Sequence, residues 1–198
     1  VLPSWLRPIP YRAPPDVVLP NLRVLLLQVV PDQTDSDALW HIALAQLALG
    51  DFTSAVQSFE NAVRRAPAER RVQLCQDAGS VCYQNGTHAG AVRLYRAALT
   101  AGENPVAAGN LAWILATSRD DTVRDGAEAL ALAQRLPAGE LTTLSALAAA
   151  EAETGHFTDA ATTITRAIEL IRRTRNTAGE AQFAERLAAY RAGKPWRK

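Results

Sequence analysis

At 198 residues and 48% hydrophobic, the chain is long enough to bury a sizeable core. Its 21 basic and 20 acidic residues leave a net charge of +1, so no global field draws it to nucleic acid or to an acidic membrane. The longest apolar run, Val24 to Val30, is broken by Gln28 and is far too short to span a bilayer, which argues against membrane insertion by this chain itself.

Residues 1–20 hold six of the eleven prolines. Proline fixes its own φ and pushes the preceding residue to extended geometry, so this segment reads as an extended, partly polyproline-II arm. Trp5, Leu6, Ile9 and Tyr11 stud it, more apolar side chains than a plain linker carries. Either the arm lies along a partner or along its own domain, or it is the tail end of a preceding domain. Asn21 to Val30 is a short apolar run, read as a helix under the first hairpin or as a buried strand. Ser36 or Asp35 is positioned to cap the helix that follows.

Asp37 to Pro67 reads as a helical hairpin. Leu39, Ile42, Ala43 and Leu47 recur at three- and four-residue steps, which puts them on one helix face. Gly50-Asp51 breaks that helix. Phe52, Ala55, Val56, Phe59, Ala62 and Val63 form a second periodic run, and Pro67 stops it. One hairpin cannot bury its own apolar face, so it needs copies. Gly86, Ala91, Tyr95 and Ala98 lie 36 residues after Gly50, Ala55, Phe59 and Ala62. Gly155, Phe157, Ala160, Ile164 and Ala167 repeat the same internal spacing.

These residues resemble the tetratricopeptide repeat family. Gly50, Phe52, Ala55, Phe59, Ala62 and Pro67 carry the resemblance in the first copy, and Gly79 fills the small-residue slot of the second. The second copy departs at His88, where the family prefers an aromatic, and its period runs over the usual length of about 34 residues. The third copy lacks the closing proline. The resemblance covers roughly residues 35–172 and implies an all-α fold, a right-handed α-solenoid of stacked helical hairpins.

The second hairpin is expected over 69–84 and 88–101. Residues 105–136 form a modified hairpin with a long loop, Ser118 to Gly126. That segment is similar to a variant repeat of bacterial proteins of this family. Asp120, Asp121 and Asp125 lack calcium-loop spacing. Asp125 is expected to cap the next helix, with Arg119 and Arg124 pairing the acids. A further hairpin uses 140–154 and 157–173. Thr177 to Ala192 makes a last helix with Phe183, Leu187 and Tyr190 on one side and Glu180, Glu185, Arg186 and Arg191 on the other. Such a helix caps the apolar end of a solenoid. The expected division is an arm at 1–34, a solenoid of about four hairpins at 35–175, and a capping helix with a basic tail at 176–198. The ending also resembles the tail that follows this variant repeat, which implies a native C-terminus.

Little catalytic chemistry is visible. Cys75 and Cys82 sit seven residues apart on one helix. That is a rise of about 10.5 Å, beyond the roughly 7 Å that a disulfide tolerates, so both are expected as free thiols, Cys75 in the core and Cys82 beside it. His41, His88 and His156 have no metal-ligand spacing and read as surface or turn residues. No nucleophile elbow, phosphate loop or dinucleotide fingerprint occurs. Neither an enzyme activity nor a cofactor is expected.

That leaves binding of other proteins or peptides. The family resemblance implies that the first helices of the hairpins line a concave groove. By register its candidates are Asp37, Trp40, His41, Leu44 and Leu47 in the first hairpin, and Gln73, Gln76, Asp77, Ser80, Tyr83 and Gln84 in the second. Thr142, Ser145, Ala149 and Glu153 follow in the last, while Trp5 and Tyr11 of the arm join the candidate surface. Trp40 either faces that groove or packs on the arm. Members of the family that grip a chaperone's terminal carboxylate place Lys, Asn and Arg along these positions. Here no fixed cation is expected, which argues against that subtype.

The leading expectation is a non-catalytic scaffold that binds partners through its groove and arm. The alternative is an accessory domain of a larger enzyme or a membrane-anchored protein, because the chain starts at Val1 and contains no Met. Nucleic-acid binding would rest on Arg64, Arg65, Arg70 and Arg71 and on Arg172, Arg173 and Arg175. These read instead as solvated helix ends. A bacterial cytoplasm and a periplasmic or other extracytoplasmic site both stay open.

Overall fold

A computed structural model describes residues 35–173 and 179–198. The arm with Trp5 and Tyr11, the segment 21–30 and the expected start at Thr177 lie outside the described residues. Nine helices and no strand occur among those described: α1 Ser36–Ala48, α2 Phe52–Arg65, α3 Ala68–Gln84, α4 His88–Ala101, α5 Pro105–Thr117, α6 Gly126–Ala133, α7 Leu141–Glu153, α8 Phe157–Arg173 and α9 Glu180–Arg191.

The helices begin where the sequence supplies acceptors. Asp51 accepts from the Ser54 amide at 3.2 Å, Asn104 from Ala107 at 2.9 Å, and Asp125 from Glu128 at 2.9 Å. Pro105 follows Asn104 at the first helical position, where its missing N–H costs nothing. Asp35 holds the cap position of α1 without a side-chain bond, and the Ser36 hydroxyl instead donates to the Ala62 carbonyl of α2 at 2.9 Å. Gly50, Gly86 and Gly155 close α1, α3 and α7 at φ of +76°, +78° and +83°, a conformation that disfavours a Cβ.

Helices pair as α1–α2, α3–α4, α5–α6 and α7–α8, and successive hairpins meet through α2–α3, α4–α5, α5–α7 and α6–α7. This is a stack of helical hairpins, in keeping with an α-solenoid. The repeated register is one of packing. Ala55, Phe59 and Ala62 are buried, as are Ala91, Tyr95 and Ala98, and Ala160, Ile164 and Ala167. Small residues bring the backbones together. A Cβ added at Gly79 would lie 2.8 Å from the Tyr95 ring, and one at Gly90 would lie 2.4 Å from Val56 Cγ2. One apolar cluster runs from α1 to α7 and a second joins α7, α8 and α9, so α7 contributes to both.

Cys75 and Cys82 are free and buried in the first cluster. Burial pushes both thiols up, Cys82 to about 12, where the nearby Glu60 carboxylate adds to the effect. The thiolate is the reactive form. Neither thiol is therefore expected to react with an aromatic disulfide reagent at about pH 8 in the folded protein, and both should titrate in denaturant. Native-state labelling of either one would contradict this packing.

The last helix corrects one expectation. Arg186 does not face solvent with Glu185 and Arg191. It is 5% exposed and shares the buried side of α9 with Phe183 and Tyr190. Aromatic rings on α5 and α9 cover its guanidinium, which a helical projection of α9 alone cannot show.

Candidate functional site

The first helices of three hairpins, α3, α5 and α7, share one face. It is assembled from polar contacts between neighbours. Trp113 Nε1 on α5 donates to Tyr83 Oη on α3 at 3.0 Å. The His88 ring at the start of α4 stacks on Tyr83, with centroids 5.3 Å apart, and its Nδ1 lies 3.2 Å from Ser118 Oγ. Tyr95, buried on α4, reaches through with its hydroxyl. That oxygen lies 3.0 Å from Ser80 Oγ and accepts from Asn110 Nδ2 at 3.1 Å. Asn104 Nδ2 donates to Gln76 Oε1 at 2.8 Å, tying the start of α5 to α3.

Between α5 and α7 the face opens into a cleft of about 330 Å³. Pro105, Asn110, Trp113, Leu141, Ser145 and Phe183 are among its walls. Val106, also in the lining, is 56% exposed. A mostly apolar cleft with a few convergent polar groups is the usual form of a binding site.

The groove candidates divide. Gln73, Gln76, Asp77, Ser80 and Tyr83 lie along α3, with Gln73 donating to Asp77 at 2.8 Å and Gln84 exposed beyond them. Thr142 and Ser145 line the cleft, whereas Ala149 is buried. In α1, His41 is exposed and Asp37 pairs with Arg70 at 3.4 Å. Leu44 is half-buried against the core, and Leu47 is core. Trp40 meets Phe59 edge-on at 4.8 Å, so much of its ring serves the hairpin itself. Leu47 is not groove surface because it is on the α1 stripe that faces α2.

The face also contains a fixed cation, contrary to the expectation. The Arg186 guanidinium lies 4.5 Å from the Trp113 ring centroid and 4.7 Å from that of Phe183. It donates to Ser145 Oγ at 2.7 Å and to Gln182 Oε1 at 3.1 Å. Desolvation lowers its pKa below the ordinary guanidinium value. The guanidinium is engaged between α9, α5 and α7 rather than standing free for a carboxylate.

Residues that follow α9 cross the same face. Arg197 Nη1 donates to Glu153 on α7 at 2.5 Å, and the Lys198 amide donates to the Thr117 carbonyl at 2.8 Å. Glu153 also takes Arg124 Nε at 3.1 Å. Arg124 in turn pairs with Asp121, while Asp120 accepts from the Thr122 amide and Asp125 caps α6. The three acids of this loop are thus engaged by protein groups. Among the described residues no group of three His, Cys, Asp or Glu is placed to hold a metal ion.

Sequence reasoning missed Trp113, Arg186 and residues 196–198 as parts of this face. Trp113 stood inside an apolar helix, and the other groups reach the face only by folding back across it. By sequence His88 reads as a surface or turn residue; the structure places it partly buried beside Lys198. Burial and the Lys198 charge lower its pKa below 6.5, with Asp120 opposing. The unfolded chain therefore binds more protons below that value. Stability is full above about pH 6.5 and is expected to fall as pH drops towards the lowered value of the folded state. His88→Gln should flatten that part of the slope, read as the parent-minus-variant difference in urea unfolding between about pH 7.5 and about pH 5.5. An unchanged slope would place His88 in water.

With this geometry in view, the first hairpin has a decisive likeness. Residues 36–69 match the family model of the tetratricopeptide repeat. The hairpin α1–α2 is similar to a tetratricopeptide repeat. The hairpins stacked on it repeat its buried register, as Ala91, Tyr95 and Ala98 do. No curated protein matches the chain. Tetratricopeptide repeats generally mediate protein–protein interaction and are typically non-catalytic. Among the described residues no helix is long and apolar enough to cross a membrane.

Proposed function

We propose that this chain is a non-catalytic interaction module that seats a segment of a partner protein on the face of α3, α5 and α7. The observation that carries the reading is the cleft between α5 and α7. It lies on the first-helix face of repeats whose general role is protein binding, it is apolar, and Val106 is exposed in its lining. Asn110 and Ser145 supply the polar groups that orient a bound peptide. A protein partner is favoured over nucleic acid because the net charge is +1 and basic side chains are in pairs such as Arg70–Asp37, Arg93–Glu60 and Arg172–Glu180.

The test is cross-linking mass spectrometry on protein isolated from its native source, beside a Val106→Glu/Thr142→Arg variant. Cross-links from the cleft to one protein, lost in a variant that melts like the parent, support the reading. A native chain without a partner, or a partner retained equally by the variant, overturns it.

A further inference from the structure

Residues 194–198 follow α9 as a short segment without regular secondary structure, and the surface beneath them has a definite chemistry. Helix α5 ends at Thr117, and the last carbonyls of a helix have no partner within it and carry the negative end of its dipole. Two of them face this segment. Thr117 O accepts from the Lys198 amide at 2.8 Å, and Ala116 O from Arg197 Nη1 at 3.4 Å. Glu153 on α7 adds a carboxylate 2.5 Å from the same nitrogen. Tyr83 on α3 presents its ring, with Lys198 Nζ 5.3 Å from the centroid. A helix C-terminus, a carboxylate and an aromatic face all favour cations. Beside them Trp196 packs on the cluster of α7, α8 and α9.

The segment fits this strip imperfectly. Trp196 Nε1 is buried without a hydrogen-bond partner, an arrangement that weakens its own seat. Residues 195–197 are only half-buried and Lys198 is exposed. Gly193, at φ +67°, and Pro195 separate the segment from α9, so it can leave without unwinding the helix.

We propose that this strip is a binding site for an extended partner segment in which an aromatic residue precedes two cations, and that residues 196–198 are its resident occupant, displaced when the partner binds. The inference rests on the reading of this face as a protein-binding surface, and it adds the chemistry of the partner and a competitor built into the chain.

The probe is a labelled synthetic peptide with the sequence of residues 193–198, Gly-Lys-Pro-Trp-Arg-Lys, titrated against the full chain and a variant lacking 194–198. The peptide should bind the shortened variant about tenfold more tightly than the full chain. Glu153→Gln in the shortened variant should weaken it about fivefold or more. If the shortened variant fails to fold, the full-length Trp196→Ala/Arg197→Ala variant takes its place. Unfolding of both would make the segment a structural strap and overturn the proposal. So would a folded variant that ignores the peptide. Cross-links from residues 194–198 to Glu153 between isotopically mixed full chains would assign the strip to a second copy, which also overturns it. Peptide failure with cleft-dependent partner capture intact removes only this proposal. Peptide binding without such capture removes only the cleft reading.

Discussion

Replacing Tyr95 with alanine is expected to lower the unfolding free energy by about 3–5 kcal/mol, as for other large buried aromatics. The ring is 1% exposed and fills the space that Gly79 leaves on α3. Truncation opens a cavity between α3 and α4 and removes the acceptor for Asn110 Nδ2 on α5. Tyr95→Phe separates these effects. It keeps the ring and loses only the hydroxyl contacts with Ser80 and Asn110, so about 1 kcal/mol is expected. Urea unfolding of the two variants checks both values. Equal losses would mean that the hydroxyl network, not the packing of the ring against Gly79, joins these hairpins.

Arg186→Ala is expected to cost about 1–3 kcal/mol, combining lost contact with the Trp113 and Phe183 rings and lost hydrogen bonds to Ser145 and Gln182. The charge itself is a burden. The guanidinium is buried, and no carboxylate forms a salt bridge with it among the described residues. Its Nε is also buried without a partner. Arg186→Met keeps most of the volume and removes the desolvation penalty, so it should unfold within about 1 kcal/mol of the parent. Denaturant curves with intrinsic tryptophan fluorescence check this, because Trp113 and Trp196 flank the guanidinium at 4.5 and 5.9 Å. A Met variant as unstable as the Ala variant would show that the cation, rather than its bulk, holds α9 in place.

These two residues differ in how far the sequence reveals them. Tyr95 shares a register with Phe59 and Ile164, and that register repeats with a glycine turn before it. Helical period and turn glycines are local properties of the chain. They are enough to place the hairpin ends to within about three residues, to assign Asp125 as a cap and to put both thiols on the buried face. They also set Gln76, Asp77, Ser80 and Tyr83 along one helix, because positions three and four apart share a face whatever the partner.

Arg186 shows where that reasoning stops. A charged residue on a single amphipathic helix is assigned to solvent by default. Its burial depends on Trp113, which lies 73 positions earlier in the sequence and is brought to it by the stacking of α5, α7 and α9. The same holds for Glu153 with Arg197 and for Lys198 with Tyr83. The helices, their turns and the repeated core are local, since each follows from spacing within a hairpin. Which polar groups meet on the shared face, and that residues 196–198 lie across it, depends on the stacking of the hairpins, since those contacts join distant parts of the chain and no local periodicity encodes them.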